Sequence, residues 1–192
     1  MIMLATKPLR IVLVSVCSVL LVLAGIALSS CGPNHEQAIR DSLTQELESI
    51  KNLEESYLSQ LTSDSDVSEL SQFGIDPNEF FKQLLDGFDY QIQSVTVDGE
   101  TADATVVISM KSMSDFAANL EQSMQDLLAD ESLTSLSEDE IYAKVGESIM
   151  NDVTELPVTQ FDPVTITYQL TDDTWTPTED SMENLETAML GN

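Results

Sequence analysis

Thr101 to Met110 reads TADATVVISM, and its alternation decides the fold class. Ala102, Ala104, Val106, Ile108 and Met110 fall on one side of an extended chain. Thr101, Asp103, Thr105 and Ser109 fall on the other, with Val107 the exception. This is the pattern of an antiparallel strand with one face covered and one face wet. Asp98-Gly99, just before it, predicts a hairpin turn. Upstream, Phe88, Tyr90 and Ile92 alternate, and the phase then moves to Val95 and Val97. A bulge near Gln93-Ser94 accounts for the shift. Downstream, Val164, Ile166, Tyr168 and Leu170 alternate with Thr165, Thr167 and Gln169. Asp172-Asp173 then turns the chain toward a short strand around Trp175.

Helical spacing surrounds these hairpins. Ile39, Leu43, Leu47, Ile50, Leu53, Tyr57 and Leu61 recur every three or four residues, which predicts one helix over 36–61, about 39 Å long. Thr62 to Ser68 is polar and breaks the pattern. Asp76-Pro77-Asn78-Glu79 reads as a helix start, with Phe80, Phe81, Leu84 and Leu85 as its apolar face. Between the hairpins, Phe116, Leu120, Met124, Leu127 and Leu128 share one helix face. Ser137-Glu138-Asp139-Glu140 opens another helix carrying Ile141, Val145, Ile149 and Val153, which stops before Pro157. Asp180 and Glu183 are expected to cap a last helix, with Met182, Leu185 and Met189 inward and Gly191 at its stop. The order helix-helix-hairpin-helix-helix-hairpin-helix lacks strand–helix alternation. It predicts an α+β fold: a mostly antiparallel sheet of two hairpins, one face covered by amphipathic helices. The helices carrying Leu43, Phe116 and Val145 are the expected covers.

The amino terminus is of a different kind. Lys7 and Arg10 precede an uncharged apolar run, Ile11 to Leu28, in the layout of an export signal. A permanent membrane anchor is the competing reading of such a run. Leu28-Ser29-Ser30-Cys31 favours the signal, because it resembles the lipobox of bacterial lipoproteins. That resemblance implies a diacylglyceryl group on the Cys31 sulfur and cleavage between Ser30 and Cys31. The expected organisation is a removed signal peptide over 1–30, a lipidated tether over 31–35 and a single extracytoplasmic domain over 36–192. The expected location is the outer face of the cytoplasmic membrane, held there by the lipid.

Composition limits what the exported part can do. The chain has 34 acids and 7 bases, a formal −27; both bases of the first thirty residues, Lys7 and Arg10, are lost with the signal, leaving 34 acids against 5 bases, or −29. Phosphate neutralisation needs a cationic surface, so nucleic acid is excluded as a partner. Cysteine stands only at 17 and 31, which leaves the domain no disulfide framework and no thiol nucleophile. His35 is the one histidine, placed at the tether, so neither a Ser-His-Asp triad nor a multi-histidine metal site is expected. Asp64-Ser65-Asp66 begins like a calcium loop, but Glu69 stands where glycine belongs and Ile75 where glutamate belongs. No Gly-rich phosphate loop occurs. The sequence therefore implies no cofactor and no metal. Among so many acids a catalytic carboxylate pair has no distinguishing spacing, and a solvated acidic surface is the simpler reading.

The segments FDYQIQSVTVDGETADATVVISM (88–110) and VTITYQLTDDTWTPTEDSMENLETAMLGN (164–192) resemble small lipoproteins of Gram-positive bacteria. These carry a cystatin-like or nuclear-transport-factor-2-like domain of unknown function. The family has no assigned active residues to transfer, and Pro177 departs from its pattern after the tryptophan. The expected function is that of a noncatalytic, lipid-anchored domain that binds a peptide, a protein or a small ligand. The alternatives are an enzyme with an acidic, cone-shaped pocket and a surface spacer with no specific ligand. A pocket, if there is one, is expected on the apolar sheet face, where Ala102 and Ala104 leave room, with Tyr90 or Tyr168 at its wall. Core packing competes as the role of both tyrosines.

Overall fold

The structure, a computed structural model, describes residues 34–63 and 67–190. Lys7 to Cys31, the Asp64–Asp66 segment, Gly191 and the side chain of Met189 lie outside what is described. Over the described residues the fold is α+β, with six α-helices, two 3-10 helices and an open antiparallel sheet of five strands. The strands are β1 (Asp89–Asp98), β2 (Thr101–Lys111), β3 (Val158–Gln160), β4 (Val164–Thr171) and β5 (Thr174–Pro177). Their order is β1-β2-β4-β5, and β3 pairs with the far end of β2, beyond the end of β4.

Both expected hairpins are present. The register of β1 on β2 slips between Ile92 and Ser94, so the bulge sits at Gln93 and turns Val95 and Val97 back toward the covered face. Gly99 makes its turn at φ +63. The second turn places two non-glycine residues, Asp172 and Asp173, at φ +51 and +61, a left-handed pair that aspartate tolerates better than most residues. On β2 every residue of the expected inner set is buried, from Ala104 and Met110 at 0 % exposure to Ile108 at 3 %. Thr101, Asp103 and Thr165 are exposed on the opposite face.

The helices are α1 (His35–Lys51), α2 (Glu55–Thr62), α3 (Pro77–Leu84), α4 (Met113–Ala129), α5 (Glu138–Glu155) and α6 (Glu179–Leu190). The single helix expected over 36–61 is in fact two. The chain breaks at Asn52–Glu54, where Leu53 takes φ +50. The Asn52 and Leu53 amides close the end of α1 onto the Glu48 and Ile50 carbonyls. Asp76 caps α3 by accepting from the Asn78 amide, and Ser137 and Glu140 form the full capping box of α5. The last helix is opened by Thr178, whose hydroxyl accepts from the Ser181 amide, and Asp180 is exposed in the first turn instead of capping.

The covers also differ from expectation. Helix α1 lies along β1 and β2, and α6 lies on β4. Helix α5, with Val145, packs on α4, α3 and the first 3-10 helix (Val67–Phe73), forming a further layer over the helices. That 3-10 helix buries Val67, within the stretch expected to be polar connection, and Leu70 just beyond it. Leu128, expected on the buried face of α4, is 81 % exposed. Phe80, Phe81 and Phe116 form the aromatic centre of the helical half, with ring centroids 5.5 and 5.9 Å apart.

Candidate functional site

Helix α1 carries its polar groups into the sheet along two lines. At 100° per residue, Ile39, Leu43, Leu47 and Ile50 make one apolar stripe. Arg40, Glu48 and Lys51 flank it toward β1. The Arg40 guanidinium donates to the Ile92 carbonyl at 3.2 Å, beside the bulge. The Tyr90 hydroxyl donates to Glu48 at 2.8 Å, and Lys51 pairs with Asp89 at 2.7 Å while lying 5.8 Å from the Tyr90 ring centroid. Burial, and after it the Glu48 bond and the charges of Glu48 and Asp89, push the Tyr90 hydroxyl up to about 12.

The second line faces β4 and β5. His35, expected in the tether, lies in the first turn of α1 and meets Trp175: the indole N–H donates to its Nδ1 at 3.1 Å. Glu46 falls within the apolar stripe itself, and burial lifts its carboxyl to about 7. Tyr168 is 7 % exposed, and its hydroxyl is raised well above its ordinary range by burial and then by the Glu46 charge. Tyr168 stands across β2 from Ala102, and Ile166 stands across from Ala104. The Glu46 charge is thus felt at Tyr168, on the sheet face where a pocket was expected. That face is tightly packed, with Ala102 and Ala104 at 2 % and 0 % exposure. Tyr90 and Tyr168 stand on different strands, β1 and β4, and of the two the Tyr90 hydroxyl is bonded to a glutamate of α1, Glu48.

Sequence reading missed Glu46, which is one of 34 acids and marked only by its place within an apolar helical stripe. It also missed Asp152 on α5. There Oδ1 accepts from Ser123 at 2.9 Å, and Oδ2 is buried without a partner among the described residues. Burial raises this carboxyl too, against the Ser123 bond. Ser30 and Cys31 lie outside the described residues. Among the described residues no helix is long and apolar enough to cross a membrane.

Glu46 sets the sign of the pH dependence. Its folded value lies above its unfolded one, so its ionisation opposes folding. The associated stability is full below about 4.5 and is lost as pH rises toward 7. Asp152 acts in the same direction. Asp89 and Glu140 are held low, by the Lys51 bond and the Ser137 bonds respectively, and give stability that is lost only on stronger acidification. The full Glu46 shift corresponds to about 3 kcal/mol, reduced to about 1–2 kcal/mol by water around a half-buried group. Glu46→Gln is therefore expected to stabilise the fold at pH 8 and leave it unchanged at pH 5. Urea unfolding at both values, in low and high salt, checks this. Salt screens general repulsion among the acids but does not relieve burial. A Glu46→Gln chain less stable than wild type at pH 8 would show that the carboxylate has favourable partners.

No family model matches the chain, and no curated protein does. A search of solved structures finds similarity to the crystal structure of a Bacillus subtilis protein provisionally named a lipoprotein (ycdA). The two are 17 % identical with a TM-score of 0.43, over 78 % of this chain and 46 % of that one. The chain thus matches less than half the length of that protein.

Proposed function

We propose that the chain is a bacterial lipoprotein whose domain is a noncatalytic binding module, held by lipid on Cys31 at the outer face of the cytoplasmic membrane. Anchoring is supported by Leu28-Ser29-Ser30-Cys31 directly after an uncharged apolar run. A long helix laid along an antiparallel sheet agrees with the cystatin-like or nuclear-transport-factor-2-like reading. The observation that carries the binding reading is the contrast between the two sheet faces. The inner face, where a catalytic pocket would need room, is packed against helices around Ala104 and Tyr168. The outer face presents a continuous set of side-chain donors and acceptors. Thr96, Asp103, Thr105, Thr165 and Thr167 lie there across three strands, and Thr167 donates to Asp103 at 2.8 Å. Such a surface suits a peptide, a protein or a small polar ligand.

Two measurements test the two parts. Cys31→Ser is expected to abolish fatty-acid incorporation and leave an unprocessed precursor, and labelling that persists would overturn the anchor. Two acyl chains give stable attachment because each buried CH₂ contributes about 0.8 kcal/mol. For binding, amide resonances of the full chain in detergent are followed while peptides and then soluble cell-wall fragments are added. Shifts confined to Thr96, Thr105, Thr165 and Thr167 support the module. Shifts centred on Glu46 and Tyr168, with turnover of the added compound, would replace it with the enzyme reading. No shifts with either probe would leave the spacer.

A further inference from the structure

The chain has one tryptophan and one histidine, and they are bonded to each other across 140 residues. Trp175 is 4 % exposed in β5, and the rings meet edge to face at 5.6 Å and 72°. An indole N–H can only donate, so His35 Nδ1 must offer a lone pair, with the imidazole proton on Nε2. An imidazolium carries N–H on both nitrogens. Its formation would set two donors against each other and leave a buried indole N–H without an acceptor.

We propose that this contact is a pH-released latch on the first turn of α1. In the neutral state it fixes His35 to β5, and Asn34 caps the helix by accepting from the Gln37 amide. In the protonated state the bond is lost. The next point at which the helix is gripped is Ile39, 1 % exposed. The four residues His35 to Ala38 are then free to leave the sheet; extended they span about 14 Å against about 6 Å as helix, a gain of about 8 Å of reach. Where the chain is lipid-anchored at Cys31, a reading that the latch itself does not need, this lengthens the tether on acidification. Histidine is the side chain whose charge changes between about pH 5 and 8. The elements that meet at the latch bring Glu36 on α1, Tyr168 on β4, Asp172 and Asp173 in the turn into β5, and Asp98 and Glu100 in the β1–β2 turn; β5 itself has no titratable residue. Glu46, further along α1, is lifted by burial to about 7 and is the competing source of any transition.

The test uses the full chain in detergent micelles. The indole resonance and the emission of Trp175 are followed from pH 8 to pH 5, together with hydrogen exchange of the amides of Gln37 to Ile39. In wild type the indole signal is expected to move through a single transition, and the exchange, corrected for its intrinsic pH dependence, to quicken about fivefold. His35→Gln keeps an acceptor that does not titrate, so it should hold the indole signal in its pH 8 position throughout. Glu46→Gln should keep the transition. A transition that persists in His35→Gln, or one that disappears in Glu46→Gln, would overturn the latch, as would an indole signal unmoved in wild type. None of these outcomes depends on lipid at Cys31.

Discussion

Gly146→Ala is expected to destabilise the fold by about 3–5 kcal/mol, against the gain of about 1 kcal/mol that helix propensity alone assigns to this change. Gly146 lies inside α5, at its crossing with the 3-10 helix that ends at Phe73. A Cβ added there would stand 2.0 Å from the Phe73 carbonyl oxygen, 3.0 Å from its carbon and 3.4 Å from Ile75 Cγ1. The obstacle is backbone, so no rotamer change relieves it. The two helices must separate, and the Phe73–Tyr142 ring contact at 5.6 Å must open with them. Ala143→Gly, at an exposed position one turn earlier, measures the propensity effect alone. Chemical denaturation of the two variants checks the prediction. A Gly146→Ala chain as stable as wild type would mean that α5 does not approach the 3-10 helix this closely.

Lys111→Met is expected to cost about 2–4 kcal/mol even though it exchanges a buried charge for an apolar group of similar length. Lys111 ends β2 at 3 % exposure. Its ammonium donates to the carbonyls of Gln83 at 2.7 Å, Val153 at 2.9 Å and Thr154 at 3.4 Å. Gln83 lies in the last turn of α3, and Val153 and Thr154 in the last turn of α5. One cation thus answers carbonyls at two helix ends, where the helix dipoles also favour positive charge. Burial pulls the ammonium below its ordinary value and Asp86 pulls it back, so the charge is costly to bury but compensated. The next residue, Ser112, caps α4 by accepting from the Asp115 amide at 3.2 Å. The Lys111-Ser112 pair therefore joins the sheet to three helices. A urea midpoint lowered with an unchanged slope would confirm the cost. A Lys111→Met chain with the wild-type midpoint would show that burial of the charge cancels its three hydrogen bonds.

The sheet was legible because each strand repeats one simple rule. Ala102 to Met110 alternates without a break except at Val107, and the phase change between Ile92 and Val95 can come only from an inserted residue. The split between α1 and α2 was not legible. Ile50, Leu53, Tyr57 and Leu61 keep helical spacing through it, and no glycine or proline marks Leu53, whose positive φ leaves no trace in composition. Strand β3 was hidden for the opposite reason: Val158 to Gln160 is three exposed residues, too short to show a period. Lys111 reads as the polar end of a strand, since a lysine buried on carbonyls has the same letter as one in water. Glu46 is legible only once the stripe around it is known to be covered, because an acid inside such a stripe means nothing until something lies on top of it.

The two margins of the sheet bear on how the molecules behave beside one another. An unpaired strand is a template onto which a second chain can add, and repeated addition makes fibrils. Strand β5 offers only four residues and finishes in Pro177, which has no amide hydrogen to donate. Strand β1 is longer, but Gln93 throws it out of register midway, Arg40 already holds the Ile92 carbonyl, and Asp89 and Asp98 put charge at both ends. Neither margin gives a newcomer more than a few consecutive, evenly spaced backbone partners. Copies crowded together can therefore collide edge to edge without seeding growth. Because the obstacle is mainly one of backbone geometry, it persists in salt strong enough to screen the repulsion among the acids.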